Sequence, residues 1–311
     1  MSDAAREPCG HTHSELTLDI TSSIHDQARL PLDLERTVFE LAAHSRPRNI
    51  PLLMLVARRV QNWVEPLLYR VVYLSPQLFS RRWKVDAPHL QDIPTFTPEI
   101  LLRVVTTKPT QFLATAVRHL FVDGATRMDD DEVAAIITAC SGVKDLFVQF
   151  VPSDLICAIP DLQRLATAVA PLFQPSTVDF AHPLFRNITH LELLDRPWVA
   201  FGGLDLIPHL THIAFNGIPP DLALHTLLCA DARLRCIIFI TSMSNKMRQE
   251  SPLLADSRFL CLLQNSNYRA DWLRGAYWGD NHWVLAEKFI LARRAGKIDR
   301  SLYHISDSDY Y

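Results

Sequence analysis

A six-residue apolar pattern recurs from residue 117 onward, and it limits the folds that the chain can adopt. Apolar side chains occupy the first, fourth and sixth places of segments that begin at Val117, Val143, Ile188, Leu210 and Leu234. Successive segments start 26, 45, 22 and 24 residues apart, and the 45-residue interval is about two of the shorter ones. Short segments with alternating apolar places are typical of strands. A period in the twenties therefore predicts one strand and one return per unit, with the strands stacked in parallel.

The residues between these segments favour helical returns. Asp129–Glu132 places acidic side chains where the positive end of a helix dipole favours them, which predicts a helix running to about Cys140. The acidic run is thereby explained without a metal. Asp221 is suited to cap a second returning helix. Phe259–Leu263 is a candidate for a further strand.

Residues 99–270 resemble a diverged leucine-rich repeat domain, in which each unit contributes a strand and a returning helix or turn. No sharp asparagine ladder accompanies the strands. The resemblance therefore implies a short and irregular solenoid of parallel strands.

The third place of each predicted strand is expected to point to one solvent-facing side of the sheet. These places are held by His119, Asp145, His190, His212 and Cys236, and neighbours would lie about 4.8 Å apart. Side chains on a concave surface are not needed for packing in the core and can bind another protein. The candidate target-binding residues are therefore His119, Asp145, His190, Glu192 and His212. Histidine and cysteine on adjacent strands are also good zinc ligands. Because the ligands are not closely paired in sequence, a mixed recognition surface is favoured and no metal residue is assigned.

The preceding segment, residues 29–75, has the pattern of a small helical module. Leu30-Pro31 marks a helix start, because proline is favoured in the first turn. Leu34, Val38, Leu41 and Ala42 then recur at helical spacing. Pro51 opens a second helix, whose apolar stripe is formed by Leu52, Leu53, Val56, Val60, Trp63 and Val64. A length of about 45 residues is near the lower limit for an independent core, so this module is expected to be stabilised by contact with another structure.

This segment resembles an F-box, particularly the F-box-like proteins that are abundant in mushroom-forming fungi. The resemblance is carried by Leu30-Pro31, Asp33, Val38-Phe39, Val56 with Arg58-Arg59, and the closing stretch Trp63–Arg70. It implies docking on the Skp-type adaptor of a cullin-RING ubiquitin ligase. The residues expected to make that contact are Leu30, Pro31, Leu34, Val38, Phe39 and Val56. The alternative is a hydrophobic helical hairpin that caps a larger domain.

The remaining segments are expected to connect or cover these two parts. Residues 1–28 form a polar tail and residues 76–98 a proline-bearing linker. Residues 271–299 form a C-terminal cap, with a helix from about Asn281 to Ala295 whose buried stripe is Trp283, Ala286, Phe289 and Ile290. Packed on the last repeat, this helix would cover an exposed edge. Residues 300–311 are a polar tail.

Composition narrows the class of protein and its partners. The chain has 311 residues, of which 48% are hydrophobic, and a formal net charge of −3. This size allows a sizeable core, and the charge favours neither nucleic acid nor an anionic membrane. The N-terminus lacks the apolar core of a signal peptide, which predicts a cytoplasmic or nuclear protein. Six scattered cysteines without a C-x-x-C pair fit a reducing compartment.

Motifs that would indicate an enzyme are missing from the sequence. There is no G-x-S-x-G elbow, phosphate-binding glycine loop or H-E-x-x-H helix, and the chain has only nine glycines. We therefore expect a non-enzymatic protein without a cofactor, built from mixed helices and strands (α/β or α+β). The first functional expectation is a substrate-recruiting ubiquitin-ligase adaptor that binds a target protein through the repeat face. The second is a stand-alone interaction or structural scaffold without ligase association.

Overall fold

One parallel sheet organises the chain. The computed structural model describes residues 30–74, 90, 93–122, 128–149, 151, 153–173, 178–195, 201–241, 247–264 and 268–306. Within them, nine strands pair in parallel and in chain order, so each strand lies beside the next one in sequence. The strands are β1 (Val71–Leu74), β2 (His119–Val122), β3 (Asp145–Val148), β4 (Arg164–Thr167), β5 (His190–Leu193), β6 (His212–Asn216), β7 (Cys236–Thr241), β8 (Phe259–Leu263) and β9 (His304–Ser306). The chain is thus α/β, and the predicted parallel sheet is confirmed.

The described helices precede the sheet, connect its strands or follow its eighth strand. They are α1 (Leu32–Ser45), α2 (Ile50–Leu53), α3 (Arg58–Leu68), α4 (Pro98–Thr107), α5 (Gln111–Ala116), α6 (Asp130–Ala139), α7 (Ser153–Cys157), α8 (Val169–Leu172), α9 (Leu222–Ala230), α10 (Tyr268–Trp278) and α11 (His282–Arg294). Short 3₁₀ turns cover Pro47–Asn49, Pro183–Phe185, Leu204–Leu206 and Pro252–Ala255. The acidic run begins α6 with a capping box between Asp129 and Glu132, as its sequence predicts. Asp221 caps α9 by accepting a hydrogen bond from the amide of Ala223.

The larger core lies between the sheet and the connecting helices. The first, fourth and sixth places of the repeated pattern, such as Val117, Leu120 and Val122, are all buried there. Strand β4 was not predicted, although Leu162 and Leu165 hold its first and fourth places. Its sixth place is Thr167, whose fully buried hydroxyl-bearing side chain breaks the apolar pattern.

The opposite face of the sheet is covered by α10 and α11. Helix α10 shares a core with Tyr73, Phe121 and Phe147 of β1, β2 and β3. The rings of Phe121 and Phe147 stack at a centroid distance of 4.0 Å, and the ring of Tyr73 is tilted against Phe121 at 4.9 Å. Helix α11 shares another core with β6, β7 and β8. At α11, the predicted buried stripe is confirmed, Asn281 caps the first turn, and Gly296 (φ 69°) follows the end of the helix. Its predicted position is wrong, because the segment 271–299 covers the face of the sheet and not its edge.

The N-terminal module has its own small core and is joined to the sheet. Ala43, Ile50, Val60 and Val64 form that core. The single helix predicted from Pro51 is two helices, since α2 ends at Leu53 and α3 begins after Ala57. Helix α3 packs against α5. The predicted boundary at residue 75 falls one residue after β1, which is already the first strand of the sheet.

The described residues include only parts of the predicted linker and tails. Residues 1–29, which include the predicted tail 1–28, lie outside the described residues. In the predicted linker 76–98, Leu90, Ile93 and Phe96 are buried, so these residues belong to the core. In the predicted tail 300–311, β9 pairs with β8, which corrects that prediction for His304–Ser306. None of the described helices is long and apolar enough to cross a membrane.

Candidate functional site

Helix α1 turns its apolar stripe to solvent. Leu34, Val38 and Leu41 are spaced so that they share one helix face, and they are 51%, 54% and 60% exposed. Leu30 and Leu32 at the start of the helix are exposed as well. The only buried residue of α1 is Ala43. A helix normally buries such a stripe, so this surface has the composition of an interface that lacks its partner.

A second group of exposed apolar side chains follows in the same module. Leu52, Leu55 and Val56 lie at the end of α2 and in the turn after it, and Leu55 is 82% exposed. The backbone amides of Leu55 and Val56 donate hydrogen bonds to the carbonyl oxygens of Leu52 and Leu53, so the turn has a defined conformation. We call the exposed residues of these two groups the apolar face: Leu30, Leu32, Leu34, Val38, Leu41, Leu52, Leu55 and Val56.

Most of the residues predicted to contact an adaptor belong to this surface. Leu30, Pro31, Leu34, Val38 and Val56 are exposed. Phe39 differs, because it is half-buried and packs on the core of the module. An ion pair between Arg59 and Glu35, with 2.9 Å between the charged atoms, ties α3 to α1 and fixes the helix that carries the stripe. Leu41 and Leu52 belong to the apolar stripes that the sequence predicts but were not named among the adaptor-binding residues.

The residues predicted to bind a target lie beneath α10 and α11. Asp145 and His212 are buried, while His119, His190 and Glu192 are half-buried. The prediction that they face solvent is therefore wrong. The two helices cover most of this face, although His119 and Asp145 also line a groove at the C-terminal end of α10. The cause of the wrong prediction is a long-range contact that the pattern of each strand does not encode.

Two of these histidines form a stacked pair across neighbouring strands. The rings of His190 and His212 lie 4.0 Å apart with an interplanar angle of 7°. Thr189 and Thr211 lie within 2.9 and 2.8 Å of the Nδ1 atoms of the histidines that follow them. Burial, together with the neighbouring His212, lowers the pKa of His190 to about 2, so this ring is neutral. The repeated Thr-His dipeptide was a sequence signal for this arrangement.

A buried charged cluster joins the two covering helices to β5. Nδ1 of His282 lies 2.7 Å from a carboxylate oxygen of Asp271, and Nε2 lies 3.8 Å from Glu192. Arg274 donates to Asp271 at 3.2 Å. Burial alone would lower the pKa of His282, but the charge and hydrogen bond of Asp271 and the charge of Glu192 raise it. Sequence reasoning did not single out Asp271 or His282 for this role.

This cluster has the chemistry of an acid–base site but not the space for one. The adjoining cavity has a volume of about 30 Å³, enough for about one water molecule. The cluster links α10 and α11 to β5.

The geometry offers no metal site within the described ranges. No group of three or more histidine, cysteine, aspartate and glutamate side chains there is arranged to hold a metal ion. In the His119, His190, His212 and Cys236 row, Nε2 of His212 is engaged with Glu287 at 3.0 Å. Burial raises the pKa of the Cys236 thiol, which disfavours the thiolate that zinc requires.

The apolar face is thus the candidate functional site, and it is a candidate protein interface. No model of a known protein family matches the chain, and no curated protein matches it either.

Proposed function

We propose that the protein is a substrate-recruiting adaptor of a cullin-RING ubiquitin ligase. Residues 30–70 would act as an F-box-like module that docks on the Skp-type adaptor, and the sheet would be a diverged leucine-rich repeat domain that presents the target. The observation that carries the proposal is the exposed stripe of Leu34, Val38 and Leu41 on α1. Exposed aliphatic side chains on a helix of fixed orientation suit burial in a hydrophobic groove of a partner.

The order of the strands supports the second half of the proposal. Each strand pairs with the next one in sequence, and none of the described strands is inserted between earlier ones. This order is expected of a solenoid, in which each unit contacts its neighbours. The strand-to-strand intervals in the twenties agree with the same architecture.

The proposal is tested by capture of a purified Skp-type adaptor. Wild-type protein is expected to bind it, and Leu34→Asp with Val38→Asp is expected to weaken binding at least about a hundredfold, since each charge would enter an apolar interface. Leu291→Asp is the matched control, because Leu291 is 64% exposed on α11. That control should bind like the wild type. Failure of the wild type to bind, or equal binding by the double variant, would refute the adaptor role.

A stand-alone scaffold is the second candidate, and one set of contacts favours it. Helix α3 packs against α5, and Lys108 and Glu65 form an ion pair with 2.6 Å between the charged atoms. β1 also joins the module directly to the sheet. These contacts are what a helical cap would make. The same capture experiment separates the two functions, because a cap alone leaves the apolar face without a Skp-type partner.

A further inference from the structure

A basic groove lies where β1 to β4 begin, beside the C-terminal end of α10. Its cations are Arg70, Arg118 and Lys144, which directly precede β1, β2 and β3, and Arg164, which is the first residue of β4 and in register with Asp145. Tyr277 and Trp278 at the end of α10 form its aromatic side. The groove has a volume of about 620 Å³. It occurs on a chain whose net charge is −3, so the cations are concentrated locally.

No carboxylate of the described ranges pairs with the cations of this groove. None of the four cations forms an ion pair with a carboxylate of the described residues. Arg118 instead donates to the backbone oxygens of Ala114, Val117 and Gly142, which hold its guanidinium in place without cancelling its charge. Among the described residues, Asp145 is the carboxylate that lines the groove, and it is buried and lies 3.4 Å from His119. Counted over these residues, the groove carries an excess of positive charge.

We propose that this basic groove binds an acidic peptide segment of the recruited protein. Neighbouring strands lie about 4.8 Å apart, so the four strands that carry the cations span about 14 Å, which an extended peptide of about five residues would cover. The exposed ring of Trp278, 46% accessible, offers contact area for an apolar or aromatic side chain of the same peptide. A nucleic acid suits the site less, because a long polyanion would meet the net negative charge of the rest of the chain.

The groove is an alternative to the strand face as the surface that recognises a target. The strand face is covered by α10 and α11, whereas the basic groove lies at the margin of that cover and includes exposed side chains such as Lys144. Only the description of the peptide as part of a recruited target rests on the proposed function. Binding of an acidic peptide is a property of the groove itself.

The test measures binding of a short fluorescent peptide of alternating glutamate and glycine with one tyrosine. The same peptide with glutamine in place of glutamate is the uncharged probe, and a single-stranded DNA oligonucleotide is the competing polyanion. The charge-removing variant is Lys144→Gln with Arg164→Gln, which spares the structural contacts of Arg118. Its matched control is Lys297→Gln with Arg300→Gln, which removes the same charges from exposed residues after α11.

The glutamate peptide is expected to bind the wild type and the control equally, and the groove variant about tenfold more weakly. Added salt should weaken binding, and the glutamine peptide should bind at least about tenfold less tightly. Equal binding of both peptides, an unaffected groove variant, or tighter binding of the oligonucleotide than of the peptide would overturn the inference. Each variant is also tested with the Skp-type adaptor, which the groove variant should still bind. Loss of adaptor binding with peptide binding intact would count against the proposed function alone.

Discussion

At the scale of single residues, the charge of His282 depends on its buried neighbours. Burial would raise the pKa of Asp271, but the charge and hydrogen bond of His282 hold it below the usual range. The pKa of His282 is raised in turn. Asp145, Glu192 and Arg274 are the other charged groups of the cluster. Burial raises the pKa of Glu192 as well.

These shifts predict a stability that falls on the alkaline side. A raised histidine pKa stabilises the folded state fully below the unfolded value of about 6.5, and this contribution is lost as pH rises through the folded pKa. The raised pKa of Glu192 also makes the folded state less stable as pH rises, and this effect begins at a lower pH. Asp271 contributes above about pH 3.8 and loses its contribution as pH falls through its lowered pKa. We expect the urea midpoint of the wild type to decrease between about pH 6 and pH 9.

His282→Gln should remove most of this dependence and lower the free energy of unfolding by about 3 kcal/mol, because it leaves Asp271 with one charged partner fewer. His209→Gln is the control, since His209 is exposed. Urea titrations of the three proteins across that pH range make the comparison. Parallel pH profiles for the wild type and His282→Gln would show that the cluster does not hold its charge as described.

At the scale of secondary-structure elements, α1 contributes little to the core. Val60 and Val64 of α3 are fully buried, whereas α1 contributes Ala43 and the half-buried Phe39. Burial of apolar surface stabilises in proportion to the area removed from water. The stripe on α1 therefore adds less to the stability of the isolated chain than the buried valines of α3 do.

This difference predicts opposite effects of two substitutions in the same module. Leu34→Glu should change the melting temperature by less than about 2 °C, because an exposed side chain is replaced. Val64→Ala should lower the free energy of unfolding by about 2 kcal/mol through lost packing. Thermal melts of both variants test this. A large loss of stability in Leu34→Glu would mean that the stripe is covered within the chain and is not available to a partner.

The local signals of most elements could be predicted from sequence, but their long-range partners could not. The strand at Val143–Val148 and the capping box of α6 depend on neighbouring residues, so short patterns identified them. The apolar pattern missed β4 because Thr167 is polar, and it missed β9 because the residues around His304 are polar. Asp231-Ala232-Arg233 and Asp256-Ser257-Arg258 form a further signal that was overlooked. Their arginines each donate to backbone oxygens of the preceding unit.

At the candidate site too, local sequence patterns identified residues but did not specify their long-range contacts. Helical spacing identified Leu34 and Val38, but only the packing of α1 decides that this stripe is exposed. The histidines of β5 and β6 were correctly placed on one face of the sheet. Their burial follows from α11, about 70 to 90 residues later in the chain, and no pattern within the strands specifies that contact.

At the scale of the whole molecule, α10 and α11 link the two ends of the sheet. Helix α10 packs on β1, β2, β3 and β4, and α11 packs on β6, β7 and β8. The two helices are joined by the ion pair of Asp271 and His282 and by a close approach at Gly275, where an added Cβ would lie 2.6 Å from Asn281. An array of units that contact only their neighbours can unfold piecemeal. Here the C-terminal helices connect distant units, which favours one cooperative transition.

The last prediction tests this coupling with a substitution in α10. Leu273 is fully buried in the core that contains Tyr73, Phe121 and Phe147, so Leu273→Ala should cost about 2–5 kcal/mol. If α10 and α11 act together, hydrogen exchange should show the same loss of protection in β2 and in the distant β7. Leu291→Ala, which truncates an exposed side chain of α11, should leave both strands as protected as in the wild type. Loss of protection in β2 with β7 unchanged would show that the units open independently and that the C-terminal helices do not couple the ends of the sheet.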